Sequence, residues 1–574
     1  MISVESVVAE NLPAFFQQSP GLKNTVVSFL RYLFHESEFK RFEQNYPHLS
    51  GFDFIDQVME YFDFSYSVNS REKERIPVSG RVVIIANHPI GSLDGLALLK
   101  LIGEVRSDVR VVANELLLSV KPLTKLLLPV DNMNGSTVRQ NLKSIQHHLE
   151  SEGAIIIFPA GEVSRMTSRG IRDGKWNNGF LRMASKTASP ILPVFIDARN
   201  SVFFYSLSAL AKPVSTLWLV REMFKQARRD IKFKVGNQIS VEHYQNLPFD
   251  IKTSVKLFKK HVYKLGKNKQ LKWFKHSLQG IAHPESRQQL RDEIRCCELL
   301  GCTGDNKKIY LYKYQSDSSV MRELARLREL SFRAVGEGSG KRRDMDKYDS
   351  YYDHIVLWDD DNIELVGSYR LIRTAELIKR SGIEALYTNT LFSYQSCSSH
   401  YLDRAVELGR SFVQPKYWGK RSLDYLWYGI AAYLKRYPEV RYLLGPVSIS
   451  NSYPDSAKRL LITFYQRHYA ATSPWAIARS PYLTGTPYKV PGTGSPVDLN
   501  YKEEFSQLKR KMSDMKLAVP ALYKQYTELC EPGGVEFVDF NIDKDFADCV
   551  DGLVVVDLEN IKASRKQRYF GVCK

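Results

Sequence analysis

His88 and Asp94 lie in the stretch "ANHPIGSLDGLALL" (residues 86–99), at the end of the apolar run "VVIIA" (82–86). A carboxylate six positions beyond an imidazole can hold one ring nitrogen and leave the other to take a proton from a hydroxyl. Acyl transfer to an alcohol requires that arrangement. The plainer use of the same residues is a turn histidine beside a helix capped by Asp94 or Ser92. A second block, "FPAGEVSR" (158–165), follows another apolar run, so Gly161, Glu162 and Arg165 can bring backbone amides and charge to the same crevice.

A different chemistry is suggested further along. The loop "RDMDKYDSYYDH" (343–354) gathers Asp344, Asp346, Asp349 and Asp353, Arg370 follows in "YRL", and "ELGRSFVQPKYWGK" (407–420) carries Glu407 and Arg410. The acidic loop lacks the ligand spacing of a calcium-binding loop, so no metal is expected. Recognition of an amino-group substrate fits better. An amine with a pKa near ~10 must lose a proton before it can attack a thioester, and a carboxylate can take it directly or through water. Glu407 is the first candidate base, with Asp346 and Asp349 in the acceptor pocket. A structural Glu407–Arg410 ion pair is the competing use.

The elements that would position these groups are readable. "VVIIA" (82–86), "VRVVA" (109–113), "AIIIF" (154–158) and "ILPVFI" (191–196) are continuous apolar runs with helical segments between them. Such runs suit strands covered on both faces, so a mainly parallel α/β sheet is expected. Ligands gather at the carboxyl ends of such strands, where His88 lies. Residues 1–75 read as helical. A second α/β pattern starts at "KKIYLYKY" (307–314) and continues through a helix to strands "HIVLW" (354–358) and "ELVGSYRLI" (364–372), joined by a hairpin at "DDDN". No internal repeat is evident. The expected organisation is one domain over 1–284, a linker over 285–305 and a second domain over 306–574, with residues 500–574 completing the latter.

With 574 residues, 44% hydrophobic and 25% charged, the chain is long enough for two or more globular cores. Lys and Arg outnumber Asp and Glu by 81 to 63, and the net charge of +18 favours a polyanionic partner: nucleic acid, an anionic lipid surface or an acidic carrier protein. Seven cysteines without a CxxC pair read as reduced thiols. "MISVESVVAENLPAFF" has no secretory pattern, and "SVFFYSLSALAKPVSTLWLV" (201–220) is broken by Lys212 and Pro213 before spanning length, so a location inside the cell is expected. The lysine-rich stretch 252–275 reads either as a basic amphipathic helix lying on anionic lipid or as a solvated helix packed on its own domain. Arg169, Arg172, Lys175 and Trp176, directly after the second block, read as head-group or carrier ligands or as a solvated loop.

The Asn-His and Phe-Pro-x-Gly blocks, with the apolar Pro-Val strand after them, resemble the glycerolipid acyltransferase family typified by the 1-acylglycerol-3-phosphate acyltransferases, over roughly residues 75–215. The resemblance implies His88 as general base, Asp94 as its orienting partner and Gly161 with its neighbours at the acceptor. Five residues separate His88 from Asp94 where the family has four. Ala160 and Val163 replace the family's Glu and phosphate-gripping Arg, which implies an acceptor lipid without phosphate, with Glu162 and Arg165 as substitutes.

"ELGRS" and its acidic loop resemble the acyl-homoserine-lactone-synthase-like branch of the GNAT acyltransferases, most closely the ornithine N-acyltransferases, over about 310–480. There Arg370 and Arg410 would bind the donor or the ornithine carboxylate. The GNAT pyrophosphate loop is reduced to Gln414, Gly419 and Lys420, which favours acyl carrier protein over coenzyme A as donor.

Together the two resemblances imply a bifunctional acyltransferase of two α/β domains, glycerolipid-acyltransferase-like and GNAT-like with a mixed sheet. The second domain would attach a 3-hydroxyacyl chain to ornithine, and the first would esterify the hydroxyl of the lyso-ornithine lipid. Implied partners are acyl carrier protein, ornithine, lyso-ornithine lipid and an anionic membrane surface, with the protein cytoplasmic and peripheral on the inner face of the cell membrane. No bound cofactor is expected, the donor being a phosphopantetheine thioester or acyl-CoA. One competing reading is a lysophospholipid acyltransferase with a regulatory or carrier-docking second half. Another is a nucleic-acid-binding protein, for which no recognition signature is present.

Overall fold

The run that ends just before His88 is a strand buried along its whole length. The computed structural model describes residues 28, 31 and 35–571, apart from 115–119, 131–134, 168–169, 211, 227–229, 270, 275–278 and 484–500. The chain divides into two units, Met1–His283 and Pro284–Lys574.

Among its described residues the first unit has nine strands: β1 (Ser65–Val68), β2 (Val82–Ala86), β3 (Val109–Asn114), β4 (Leu127–Val130), β5 (Ala154–Ile157), β6 (Arg165–Thr167), β7 (Gly170–Arg172), β8 (Ile191–Asp197) and β9 (Asp230–Val235). Seven form one sheet in the order β1-β9-β8-β2-β5-β3-β4, and β6 with β7 makes a separate hairpin. Strand β2 runs parallel to β5 and β8, β3 parallel to β4 and β5, and only β8–β9 is antiparallel. The expected parallel α/β sheet is therefore present.

Alternation along β2 assigns its two faces. Val82, Ile84 and Ala86 pack with helices α1 (Gly51–Tyr61) and α2 (Ser92–Gly103) through Phe54, Ile55, Leu98 and Ile102. Val83 and Ile85 pack on the other face with Phe180, Phe258 and Val262. Helix α3 (Val202–Leu210) lies against β6, and helix α4 (Ile251–Leu265) packs on β8. Helix α4 is the lysine-rich stretch. Its apolar side, Val255, Phe258, Val262 and Leu265, is buried in its own domain. The packed-helix reading of 252–275 thus holds over α4, and its apolar side is not free for lipid. The helical expectation for 1–75 holds for Glu36–Asn45 and α1, but Ser65–Val68 is strand β1, parallel to β9. Residues 1–27 lie outside the described part.

The second unit starts earlier than the sequence suggests. Residues 285–305, read as a linker, hold helix α5 (Arg287–Arg295) and strand β10 (Glu298–Cys302), which joins the unit's sheet. The remaining sheet strands are β11 (Lys307–Tyr312), β12 (Asp353–Asp359), β13 (Glu364–Arg373), β14 (Ala405–Val413), β15 (Tyr442–Ile449), β16 (Val535–Asp543) and β17 (Cys549–Asp557). Their order is β10-β11-β12-β13-β14-β15-β17-β16, antiparallel throughout except for β14–β15.

Helices cover both faces of this sheet. Helix α6 (Ser319–Ala334) buries Val320, Met321 and Leu324 against Tyr310, Tyr312, Val356 and Trp358. Helix α7 (Ser422–Leu434) buries Leu426 and Ile430 against Ile309, Ile355 and Leu357 on the opposite face. Gly429 of α7 allows this approach, since a Cβ there would meet the side chains of Ile355 and Ile309 at 2.5 and 2.7 Å. The parallel ladder between β14 and β15 is short, pairing only Ala405–Glu407 with Tyr442–Leu444. The stretch 500–574 supplies β16 and β17 and so completes the sheet.

Candidate functional site

In the first unit, Asn87 fixes where β2 ends. Its side chain donates to the Ile196 carbonyl at 2.9 Å and accepts from the Ile196 amide at 2.8 Å, extending the β2–β8 junction by one side chain. Pro89 follows His88, and Gly91 then takes φ 109°, ψ −122° at the start of α2, a conformation a side chain would strain. The chain thereby turns sharply enough for Asp94, in the first turn of α2, to face back.

Nδ1 of His88 lies 3.1 Å from Oδ1 of the fully buried Asp94. The second Asp94 oxygen accepts the Ile90 amide at 2.9 Å, which fixes the carboxylate plane. The extra residue between His88 and Asp94 is absorbed in the turn, and the two groups meet. The His88 ring stacks on Phe158 at 4.3 Å between centroids, and its side chain is one-fifth exposed. Burial would lower the pKa of this imidazole, but the Asp94 and Asp173 carboxylates outweigh it and leave the pKa above its ordinary 6.5.

The second block adjoins this pair through Phe158 and through Ser164, whose amide donates to the His88 carbonyl at 2.7 Å. Gly161 forms the turn after β5 at φ +66°. Glu162 sits over Gly174, with Oε1 3.0 Å from the position a Cβ would take there. Arg165 leaves the dyad for α3: it donates to Ser208 Oγ at 2.7 Å and lies over the Phe204 ring at 5.2 Å. Trp176 is buried and donates to Asp173 at 2.8 Å, while Arg172 lies over Tyr263. Trp176 is therefore a packing and hydrogen-bonding residue. Arg169 lies outside the described residues. The sequence reading missed Asp173, whose carboxylate accepts the His88 amide at 3.2 Å.

In the second unit, Asp346 and Asp349 form a reciprocal capping box at the turn Lys347–Ser350 and are held by arginines. Arg370 donates to Asp346 at 2.6 Å and to Asp349 at 3.0 Å, and Arg328, also missed from sequence, donates to Asp349 at 2.8 and 3.0 Å. Burial would raise the Asp349 carboxyl, but the Arg328 and Arg370 guanidiniums reverse this and hold it well below the usual carboxylate range. Asp349 is thus an anchor within a buried ion network. Arg410 sits at φ 47° where the β13–β14 register shifts, a bulge that re-aims its side chain. It lies 3.5 Å from both Asp344 and Asp346 and over the rings of Tyr387 and Phe546.

Glu407 accepts from Tyr352 Oη at 2.8 Å and from the Thr388 amide at 2.8 Å, and is buried. Burial pushes its carboxyl up to about 7, with the hydrogen bonds and Arg370 working the other way. Such a group can accept a proton at neutral pH. Arg410 takes its ion-pair contacts from Asp344 and Asp346. Three further carboxyls escaped the sequence reading. Asp551 accepts from Ser448 Oγ at 2.6 Å and is raised to about 7, first by burial and then by Asp543. Asp543 accepts from Tyr387 Oη at 3.2 Å and is raised chiefly by burial. Glu337 is raised to about 7 by burial and by the charge of Asp551. Among the described residues no cluster suited to a metal ion is present, and no helix is long and apolar enough to cross a membrane.

Residues 6–271 match the acyltransferase family and residues 327–428 match the acetyltransferase (GNAT) domain family. A lyso-glycine lipid O-acyltransferase from Phocaeicola vulgatus is 29% identical over 246 residues, 42% of this chain and 86% of that protein. A glycine N(alpha)-acyltransferase from Bacteroides thetaiotaomicron is 27% identical over 305 residues, 51% of this chain and 90% of the relative. An L-ornithine N(alpha)-acyltransferase from Brucella abortus is 31% identical over 169 residues, 27% of this chain and 58% of its own length. The chain is an acyltransferase that joins an acyltransferase domain in its N-terminal half to a GNAT domain in its C-terminal half.

Proposed function

We propose that the chain makes ornithine lipid in two acyl transfers. In the first, the α-amine of ornithine attacks the thioester carbonyl of a 3-hydroxyacyl donor, the amine's proton passes to Glu407, the C–S bond breaks, and Glu407 hands the proton to the thiolate, which leaves as the thiol. In the second, the 3-hydroxyl of that product attacks the carbonyl of a second acyl thioester, His88 takes its proton, Asp94 stabilises the imidazolium that forms, the C–S bond breaks, and the imidazolium returns the proton to the leaving thiolate. The observation that carries this reading is the presence, in one chain, of a His88–Asp94 pair suited to an alcohol and a Glu407 site suited to an amine. Relatives named for O-acylation of a lyso-aminolipid and for N-acylation of an amino acid support the same pairing.

Glycine is the second reading for the amino acid, favoured by the names of two relatives. Ornithine is supported by Glu337, Asp543 and Asp551, raised carboxyls that a cationic side chain would stabilise in their ionised form. The donor is an acyl carrier protein, whose acidity suits a chain of net charge +18, with acyl-CoA as the other candidate. The enzyme works at the inner face of the cell membrane, where the exposed Lys252, Lys256 and Lys260 of α4 face an anionic surface. The test is to incubate the purified full chain with 3-hydroxyacyl carrier protein, a second acyl carrier protein and either ornithine or glycine, and to resolve products by mass spectrometry. Ornithine is expected to give monoacyl and then diacyl product. Acylation of lysophospholipid with no dependence on an amino acid would overturn the reading.

A further inference from the structure

Asp173, in the segment after the β6–β7 hairpin, is buried at 2% exposure. One carboxylate oxygen accepts the His88 amide at 3.2 Å and the Ser164 hydroxyl at 2.5 Å, and the other accepts Trp176 Nε1 at 2.8 Å. The Ser164 amide in turn donates to the His88 carbonyl, so the His88 peptide groups are gripped on both sides. The Asp173 backbone is itself held from α4: its amide donates to Tyr263 Oη at 2.7 Å, and Lys259 Nζ donates to the carbonyls of Asp173 and Gly174 at 2.7 and 2.5 Å. One residue therefore ties together the turn after β2 and the second block through its carboxylate, and the helix that covers the sheet through its backbone.

We infer that Asp173 is a positioning residue for ester formation, fixing the backbone of His88 while Asp94 fixes its ring. This rests on the reading that the first unit esterifies a lipid hydroxyl. Asp173 acts through His88 in two ways. It removes the freedom of the His88 peptide to swing the imidazole off the Asp94 carboxylate, and its charge adds to that of Asp94 in favouring the imidazolium. Asn at 173 cannot do the same. If its amide nitrogen replaces the oxygen facing His88 and Ser164, the serine hydroxyl can turn to accept but the His88 amide loses its acceptor. If it faces Trp176, two donors oppose each other.

The test compares Asp173→Asn with the wild-type full chain. The ester-forming kcat is expected to fall by about tenfold or more while KM for the hydroxyl acceptor stays within about twofold, since the loss falls on geometry at the reacting proton. Amide formation by the second unit is the internal control and is expected unchanged. The pH midpoint for carbethoxylation of His88 by diethyl pyrocarbonate, followed by peptide mass spectrometry, is expected to move to lower pH. Wild-type kcat and an unmoved midpoint would overturn the inference. A moved midpoint in a chain that esterifies no lyso-aminolipid even as wild type would support the positioning role and refute the proposed function instead. If the Asn variant does not fold, Ser164→Ala keeps the charge and removes one tie: a several-fold loss of ester-forming kcat at an unmoved midpoint supports the inference, and an unchanged kcat overturns it.

Discussion

Replacing Asp94 by Asn should disable ester formation while sparing the fold. The Asn side chain can still accept the Ile90 amide with its oxygen, as Asp94 does at 2.9 Å, which leaves its NH2 facing His88 Nδ1. That nitrogen must then be an acceptor, so the proton moves to Nε2, the nitrogen that should receive the substrate's proton. The charge is lost as well. At 3.1 Å and an effective dielectric near ~20, the attraction between carboxylate and imidazolium is worth about 5 kcal/mol. At 1.36 kcal/mol per decade this corresponds to a loss of roughly 10³–10⁴ in the ester-forming kcat. Because Asp94 raises the His88 pKa, the acid limb of the residual activity should also move to lower pH. The assay supplies purified chain with monoacylated amino acid and acyl donor, following the diacyl product, and in parallel follows N-acylation from free amino acid. Ester formation within about threefold of wild type, with N-acylation intact, would refute the proton-transfer role of the dyad.

Glu407→Gln should reduce amide formation by roughly 10²–10⁴-fold with esterification of supplied lyso-lipid unaffected, measured by separate product assays. With the Glu407 carboxyl at about 7 and active only when ionised, wild-type amide formation should rise as pH increases through about 7. The pair Glu337→Gln and Asp551→Asn should raise KM for ornithine by about tenfold or more and change KM for glycine little, as expected when a cation loses its counter-charges. Arg328→Met should cost about 3–5 kcal/mol in equilibrium urea unfolding, because it leaves the buried Asp344 and Asp349 carboxylates short of a partner. Asp349 is held below the usual carboxylate range, so its contribution to wild-type stability is present above that range and is lost as pH falls below about 4; this acid dependence should flatten in the variant.

The sheet of the first unit was legible because Val82–Ala86, Ala154–Ile157 and their neighbours are continuous Val/Ile runs, and only strands covered on both faces need such runs. The dyad was legible because its two members lie in one turn. Asp173 was not, since its partner His88 is 85 residues away and a lone Asp in a polar loop carries no local signal. Glu337, Asp543 and Asp551 escaped for the same reason: a loop and the strands β16 and β17 bring them to one region. Residues 285–305 were misread because α5 is only nine residues long, with its apolar side reduced to Leu290 and Ile294, and β10 is an edge strand with no buried residue and an exposed Leu299. The lysine-rich helix reads the same from sequence whether its apolar side meets lipid or its own sheet, and only the packing on β8 separates the two.

Helix α4 has its greasy residues committed beneath it, and lifting it off would uncover Phe180 and Phe258 and release the Lys259 and Tyr263 ties to the segment beside His88. In the proposed membrane attachment, this face would therefore act by long-range attraction rather than insertion, with a reach of about 10 Å at 0.1 M salt and still less as ions are added. On the proposed function, a chain held in that way would leave one patch of bilayer and sample another, which suits a catalyst drawing soluble and greasy reactants from different places.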